Sequence, residues 1–210
     1  FLYLNRLLPQ NIRLYFAGFR SERIGHFMTG FQIRYAQKKL GINKKNCIYY
    51  FNDCISNKFI AKQVRENFPT NRLIKYVVLV CERLPFLDCL VDREIMNATI
   101  DKAGLNLKTG MPPFTNIENE FCFSWLKQNG WEGPKQKIVC IHVRDSAYLT
   151  KYFKEDNQDY HSVRDANIDD FNDVIHWLIK KRYFVVRTGK VAKKKLKVNH
   201  DFLVDYPFIN

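Results

Sequence analysis

The residues best suited to chemistry follow an apolar run in the second half of the chain. Residues 137–146 read K-I-V-C-I-H-V-R-D-S, so His142, Arg144 and Asp145 come at the end of a β-forming segment. Such a run predicts a buried strand, and parallel α/β sheets bind ligands at the carboxyl ends of their strands. Arginine presents a planar set of donors that can pair with two phosphate oxygens at once. The segment therefore predicts a site for a phosphate or a diphosphate.

A long polar loop, residues 145–167, follows this strand. Connections between a strand and a helix usually have about 2 to 6 residues, and much longer loops tend to be functional or disordered. This loop carries groups that can bind a sugar, a ribose or a phosphate, namely Tyr148, Lys151, Tyr160, His161, Ser162, Arg164 and Asp165. The alternative interpretation is a mobile surface excursion.

The amino-terminal part of the chain has a strand–helix–strand–helix pattern. The strands are expected at 12–17 and 47–51, and the helices after the turn at 18–25 and at 57–67. This order implies a parallel sheet with helical crossovers. The apolar segment 72–81 fits either a strand or a buried helix, because its periodicity does not separate the two.

A capping-box pattern begins the next helix at Thr115–Glu118, and its apolar face of Ile117, Phe121 and Trp125 is expected to pack firmly. Beyond Gly130, the pattern predicts a strand at 138–143, a helix from about 168, a strand at 183–187 and the start of another at 203. We therefore expect an amino-terminal domain at 1–130, a linker at 131–137 and the start of a second domain at 138–210.

Composition sets the class of protein. The chain of 210 residues is 46% hydrophobic, enough for a substantial core, and has no apolar run of the roughly 20 residues that a bilayer span needs. Six cysteines without a C-x-x-C pair suggest reduced core thiols and argue against structural zinc. The first residue, Phe1, is not a methionine, and we interpret the sequence as a fragment of a longer protein.

The net charge of +13 favours polyanionic neighbours, which include nucleic acid, an anionic membrane face and nucleotide phosphates. The densest basic run, residues 190–197, has the alternative interpretation of a solvated surface loop. The P-loop, dinucleotide-binding, serine-hydrolase and zincin signatures are absent. No D-x-D triplet occurs either, so we expect neither an obligatory metal nor another cofactor.

Four segments together carry a family resemblance. They are R-I-G-H-F at 23–27, I-H-V-R-D-S-A-Y-L at 141–149, Y-H-S-V-R-D-A-N-I-D at 160–169 and Y-F-V-V-R-T-G-K at 183–190. In this order they resemble a family of bacterial glycosyltransferases found with surface-polysaccharide genes. His142 and Arg144 are also similar to the H-x-R segment of fucosyltransferases, whose arginine contacts the nucleotide diphosphate.

The resemblance implies a GT-B architecture of the α/β class, in which two Rossmann-like domains face each other across the active site. This chain would supply the amino-terminal, acceptor-side domain and the first βαβ portion of a truncated nucleotide-sugar-binding domain. The expected reaction moves a sugar from a nucleotide-sugar donor to a glycan or lipid-linked glycan acceptor. Its setting would be surface-polysaccharide synthesis in the cytoplasm, at the inner face of the membrane and with peripheral contact to its anionic surface.

Glycosyl transfer builds negative charge on the departing diphosphate, which cationic side chains can stabilise. Arg144, Arg187 and Lys190 are the candidates, because each follows or ends a predicted strand. The full set of expected substrate-binding residues is Arg23, Gly25, His142, Arg144, Tyr160, Ser162, Arg164, Arg187 and Lys190. The alternative for Arg144 is a local ion pair with Asp145 or Asp165.

A base must remove the proton of the acceptor hydroxyl, and a group that titrates near neutrality suits this task. His26 is the first candidate and Asp145 and His161 are its rivals, while His26 could equally be a simple helix-start residue. Two other functions compete with the glycosyltransferase. One is a nonenzymatic basic module that binds nucleic acid, although we expect no specific nucleic-acid partner; the other is a different phosphate-handling transferase on the same fold.

Overall fold

The computed structural model of the chain describes residues 1–42, 45–93, 110–153 and 162–209. It divides into two compact units, Phe1–Pro113 and Phe114–Asn210. The first unit contains α1 (Leu2–Leu7), β1 (Leu14–Phe19), α2 (Ile24–Lys39), β2 (Asn46–Phe51), α3 (Lys58–Asn67), α4 (Ile74–Arg83) and a 3-10 turn at Asp88–Leu90. The second contains α5 (Asn116–Gln128), β3 (Ile138–Ile141), α6 (Ala147–Tyr152), a 3-10 turn at Ile168–Phe171, α7 (Asn172–Lys180), β4 (Phe184–Arg187), β5 (Leu203–Asp205) and a 3-10 turn at Tyr206–Phe208.

The sheet of the first unit is parallel, as the sequence pattern predicts. Strands β1 and β2 pair from Leu14↔Asn46 to Phe19↔Phe51. Single parallel bridges extend the sheet on both sides, with Thr70 beside β2 and Val91 beside β1. The spatial order of these four positions is third, second, first, fourth along the chain, and the first four strands of a Rossmann-type sheet have the same order.

Helices cover both faces of this sheet because alternate strand residues point to opposite sides. On one face, Ala17 and Phe19 pack with apolar residues of α2 and α3, among them Phe31 and Val64. On the other face, Phe16 packs against α4. The segment 72–81, left open by its periodicity, is thus mainly helical, and the residues that α4 buries, Ile74, Val78 and Cys81, recur at helical spacing.

The second unit contains a parallel sheet in the order β3-β4-β5. One face of this sheet packs against Ile175 and Leu178 of α7. The other face, with Phe184, Val186 and Val204 buried, packs against Trp125 and Leu126 of α5 and against Trp131. Helix α5 therefore belongs to the second unit, and the division at 113/114 precedes the expected boundary at 130.

The structure agrees with one expectation about the segment around α5 and differs from two others. The capping box is present, with the Glu118 amide donating to Thr115 Oγ1 at 3.2 Å and the Thr115 amide to Glu118 Oε2 at 2.9 Å. The expected firm packing holds for Trp125, which packs against the sheet, but not for Ile117 and Phe121, which are 79% and 70% exposed. The residues expected to form a linker are a fixed turn, in which buried Trp131 donates from Nε1 to the Gln136 carbonyl at 2.9 Å.

The chain is thus an α/β protein with small parallel sheets, an arrangement compatible with a Rossmann-like fold. All six cysteines are free, but only Cys47 and Cys81 are buried, so the expected core placement holds for two of them. Burial, with a smaller contribution from Asp92, raises the pKa of the Cys47 thiol to about 11. Across the described ranges, no helix has the length and apolarity needed to cross a membrane.

Candidate functional site

The carboxyl edge of the β3-β4-β5 sheet brings together several of the candidate residues. Ile141 pairs with Arg187 at the ends of β3 and β4, so the segments that follow leave the sheet side by side. Arg144 is the third residue after Ile141, and Lys190 is the third after Arg187. The register therefore places both cationic residues at the same edge, as the sequence predicts.

His142 connects the two segments that leave this edge. Its side chain is exposed, and its Nδ1 lies 3.3 Å from the Thr188 carbonyl oxygen and 3.4 Å from Thr188 Oγ1. The Thr188 amide donates to the Ile141 carbonyl at 2.8 Å. His142 is therefore held by the end of β4, with part of its ring open to solvent.

Arg144 is held at the surface rather than in a closed core. Its side chain is 31% exposed, and Nε lies 3.4 Å from Asp165 Oδ1. The Arg144 carbonyl accepts a hydrogen bond from the Ala166 amide at 2.9 Å, which closes the long loop at its base. The local ion pair that we considered as an alternative is therefore present with Asp165, while the terminal Nη groups have no partner among the described residues.

Arg187 is buried and paired inside the second unit, whereas a ligand-binding arginine must be accessible. Its side chain is 1% exposed, and Nη1 lies 3.2 Å from Asp205 Oδ1 at the end of β5. The same Nη1 donates to the Lys194 carbonyl at 2.7 Å. Arg187 thus holds the interior of the second unit together and is not accessible to a ligand at the sheet edge.

Asp145 organises the backbone around the site instead of standing free. Its Oδ1 accepts from the Ala147 amide at 2.9 Å, and its Oδ2 accepts from the Lys193 amide at 2.8 Å. These bonds occupy both oxygens, which does not favour Asp145 as a base. Its main effect is to hold the start of α6 to the lysine-rich loop.

The lysine-rich loop, residues 190–197, is fastened at two more points. Asp205 Oδ2 accepts from the Leu196 amide at 2.8 Å, and Leu196 is buried. Asp169 binds the ammonium groups of Lys194 and Lys197. Those lysines lower the pKa of Asp169, so its carboxylate keeps its charge well into the acidic range. The loop is therefore an ordered part of the sheet edge, which the alternative of a merely solvated loop did not anticipate.

Aromatic rings lie beside one of the exposed cations. Lys190 Nζ lies 4.9 Å from the centroid of the Tyr152 ring at the end of α6. The Tyr148 and Tyr152 rings are 4.8 Å apart between centroids. An ammonium over an aromatic face is attracted by the ring quadrupole. The edge thus presents cations together with aromatic surface, a combination that suits a ring-bearing phosphate ligand.

The candidates of the first unit lie at the carboxyl end of β1. Arg23 is the N-cap of α2, and Gly25 and His26 are exposed in its first turn. Partial burial, and then the nearby Arg20 and Arg23, lower the pKa of His26 below its usual 6.5. His26 is therefore mainly neutral at pH 7, which is the form that can accept a proton.

The remaining candidates lie in or near the long loop. Ser162 and Arg164 are exposed close to its end. Tyr160 and His161 lie outside the described residues, so their expected roles stay predictions. Thr188, Asp169 and Asp205 also shape the site, and they are not among the site residues expected from the sequence. Each lies at or next to the end of a predicted strand or helix, and this position is the signal that could have identified them.

Within the described ranges, no three His, Cys, Asp or Glu side chains cluster closely enough to hold a metal ion. Comparison with family models, with curated proteins and with solved structures finds no match to this chain. The side chains at the two sheet edges therefore carry the indications of function.

Proposed function

We propose that the chain is part of a GT-B glycosyltransferase that moves a sugar from a nucleotide-sugar donor to a glycan or lipid-linked glycan acceptor in surface-polysaccharide synthesis. The observation that supports this most is that the half-exposed Arg144 and the exposed Lys190 follow neighbouring strands at one carboxyl edge, where Lys190 also lies beside the Tyr152 ring. A nucleoside diphosphate offers both features that this edge would bind, namely a charged diphosphate and a ring.

The chemistry assigns a separate task to each group. The bond between the anomeric carbon and the diphosphate oxygen breaks, and the leaving diphosphate takes the electron pair. Arg144 and Lys190 stabilise this growing charge, because donors placed where charge develops lower the barrier most effectively. The acceptor hydroxyl oxygen forms the new bond to the anomeric carbon, and His26 takes its proton.

The proposal is tested by a thermal-shift and calorimetric screen of nucleoside diphosphates against the protein. We expect at least one of them to raise the melting temperature, since a ligand that binds only the folded state stabilises it. Arg144→Ala should weaken that binding about tenfold or more, because it removes charge-assisted hydrogen bonds of about 1.5–3 kcal/mol. Lys190→Ala should weaken it to a smaller extent.

The control is Lys180→Ala, which removes an exposed lysine from the last turn of α7, outside the edge segments. It should leave the affinity unchanged. No melting shift with any nucleoside diphosphate would contradict the proposal. Tight binding to random DNA with a steep loss of affinity at higher salt would favour the nucleic-acid-binding module instead.

A further inference from the structure

A cavity of about 700 Å³ lies at the carboxyl edge of the first sheet, among residues that the proposed glycosyl transfer does not use. Its walls come from the end of β2 and the segment after it, from Arg65 of α3, and from the segment that runs from Thr70 into the first turn of α4. Thr70 bridges to Tyr49, so the segments after β2 and after Thr70 follow neighbouring parallel positions. The cavity therefore occupies the kind of place where open α/β sheets bind ligands. Its most distinctive lining residues are Asp53, Arg65, Arg72, Lys75 and Tyr76.

Two arginines at this cavity carry charge that no carboxylate of the described residues neutralises. Arg65 and Arg72 are exposed, and neither has an ion-pair partner in the part of the chain that the structure describes. The Arg65 guanidinium carbon lies 4.9 Å from the centroid of the Phe51 ring, so aromatic contact positions this side chain. Both guanidinium groups thus keep their hydrogen-bond donors available for an anion.

Lys75 supplies a third cation at this cavity, and its ammonium group forms an exposed ion pair with Asp53. Its Nζ lies 2.7 Å from both carboxylate oxygens of Asp53. Asp53 is 88% exposed and Lys75 is 35% exposed, and ion pairs in such positions contribute little to stability. The hydrogen bond to Asp53 raises the pKa of Lys75, so its ammonium is charged at neutral pH. A more highly charged anion could therefore replace Asp53 as its partner.

We propose that this cavity binds an organic phosphate, with the phosphate group at Arg65, Arg72 and Lys75 and a ring against the exposed side chains of Leu73 and Tyr76. Three cations around one cavity match a phosphate better than a carboxylate, because phosphate carries more charge and more acceptor oxygens. Leu73 and Tyr76 are 58% and 64% exposed, which leaves apolar surface at the same place for a ring to cover. This inference does not depend on the proposed glycosyl transfer.

The test is a calorimetric titration of the protein with phenyl phosphate, compared with inorganic phosphate and with benzoate. Phenyl phosphate should bind more tightly than either, since only it has both the phosphate and the ring. Arg65→Ala and Arg72→Ala should each weaken its binding about tenfold, the equivalent of one charge-assisted hydrogen bond. Asp53→Asn should strengthen binding, because it frees the Lys75 ammonium.

Arg83→Ala provides the matched control. Arg83 is an exposed arginine in the last turn of α4, the helix that carries Lys75 and Tyr76, and it does not line the cavity. It should change the affinity for phenyl phosphate less than about twofold. Arg65 and Arg72 are surface residues, so the variants should stay folded, and circular dichroism checks this.

Any of three results in these titrations would overturn the inference, and a fourth comes from a variant of the other unit. The three are no binding of phenyl phosphate at millimolar concentration, binding of benzoate with equal affinity, and binding that Arg83→Ala weakens as much as Arg72→Ala. Arg144→Ala separates this site from the proposed donor site. It should weaken the binding of nucleoside diphosphates about tenfold and leave phenyl phosphate binding unchanged, whereas loss of phenyl phosphate binding in Arg144→Ala would also reject the cavity.

Discussion

Arg187 and Asp205 form an ion pair between the ends of neighbouring strands, with 3.2 Å between Nη1 and Oδ1. Their side chains are 1% and 10% exposed, so the pair lies inside the second unit. Arg187 also donates to the Lys194 carbonyl, and Asp205 accepts from the Leu196 amide. The pair therefore joins β4, β5 and the lysine-rich loop into one structural element.

Removing the charge of Arg187 should destabilise the second unit. Arg187→Met leaves Asp205 buried without its cation, and the expected loss is about 3–5 kcal/mol in the free energy of unfolding. Urea denaturation measures this loss. The control, Arg182→Met, breaks an exposed pair with Glu132 and should cost less than about 1 kcal/mol. An Arg187→Met protein of normal stability that no longer binds nucleoside diphosphates would restore Arg187 to the binding site.

Asp145→Ala should loosen the lysine-rich loop. The substitution removes the acceptor of the Lys193 amide, which should lower the local stability of the loop by about 1–3 kcal/mol. Cleavage by trypsin after Lys193, Lys194 and Lys195 should become about tenfold faster for each 1.4 kcal/mol lost. Mass spectrometry locates the cleavage sites. Asp170→Ala changes an exposed carboxylate nearby, and equal cleavage rates in the two variants would contradict the role of Asp145.

Gly130 and Gly133 offer a matched pair for the turn after α5. Both have positive φ angles, +98° and +116°, so alanine at either position should cost about 1–2 kcal/mol in conformational strain. At Gly130 the new Cβ would also overlap the carbonyl oxygen of Asp201, whereas Gly133 has open space. We expect Gly130→Ala to cost a further ~1–3 kcal/mol in urea denaturation. Equal losses would mean that the turn can move away from Asp201.

The protonation of His26 can be followed by NMR without any substrate. Its pKa should lie below 6.5, and Arg20→Gln should raise it because one of the charges that lower it is removed. The unfolded chain then binds more protons than the folded one, so the His26 contribution to stability is complete above pH 6.5 and is lost as the pH falls through the folded pKa. A pKa above 6.5 would contradict the structure.

The same titration bears on the proposed catalytic role. If His26 is the base, the rate of sugar transfer should rise as His26 loses its proton and should level off above its pKa. Arg20→Gln should then move the pH profile of the rate in the same direction as the NMR pKa. A profile that Arg20→Gln leaves in place would exclude His26 as the base.

The sequence predicts the order of elements well where periodicity is strong. The alternation before Gly18 and the spacing of Phe27, Phe31 and Tyr35 correspond to β1 and α2 with small shifts in their ends. Asn57, where the predicted helix begins, is the N-cap of α3, with Oδ1 accepting from the Ile60 amide at 3.0 Å. These features depend on neighbours along the chain, so the sequence carries their signal directly.

Features that depend on distant partners were harder to predict. The pattern of α5 shows an apolar face but does not show that Ile117 and Phe121 stay exposed. Arg187 and Arg144 have the same signature of an arginine after a β-forming run. Only the position of Asp205, eighteen residues after Arg187, decides that Arg187 is internal. The sequence pattern did not indicate the cavity of the first unit, because Asp53, Arg65 and Arg72 lie in three separate segments of the chain.

Helix α5 has a consequence for dissecting this chain into pieces. It precedes the second sheet in sequence, yet its Trp125 and Leu126 cover the face that holds Phe184, Val186 and Val204. A shortened protein starting at residue 131 would present that face to water and should aggregate when expressed. A protein starting at residue 114 keeps this cover. The smallest fragment that should fold as the second unit therefore begins before α5 and not at β3.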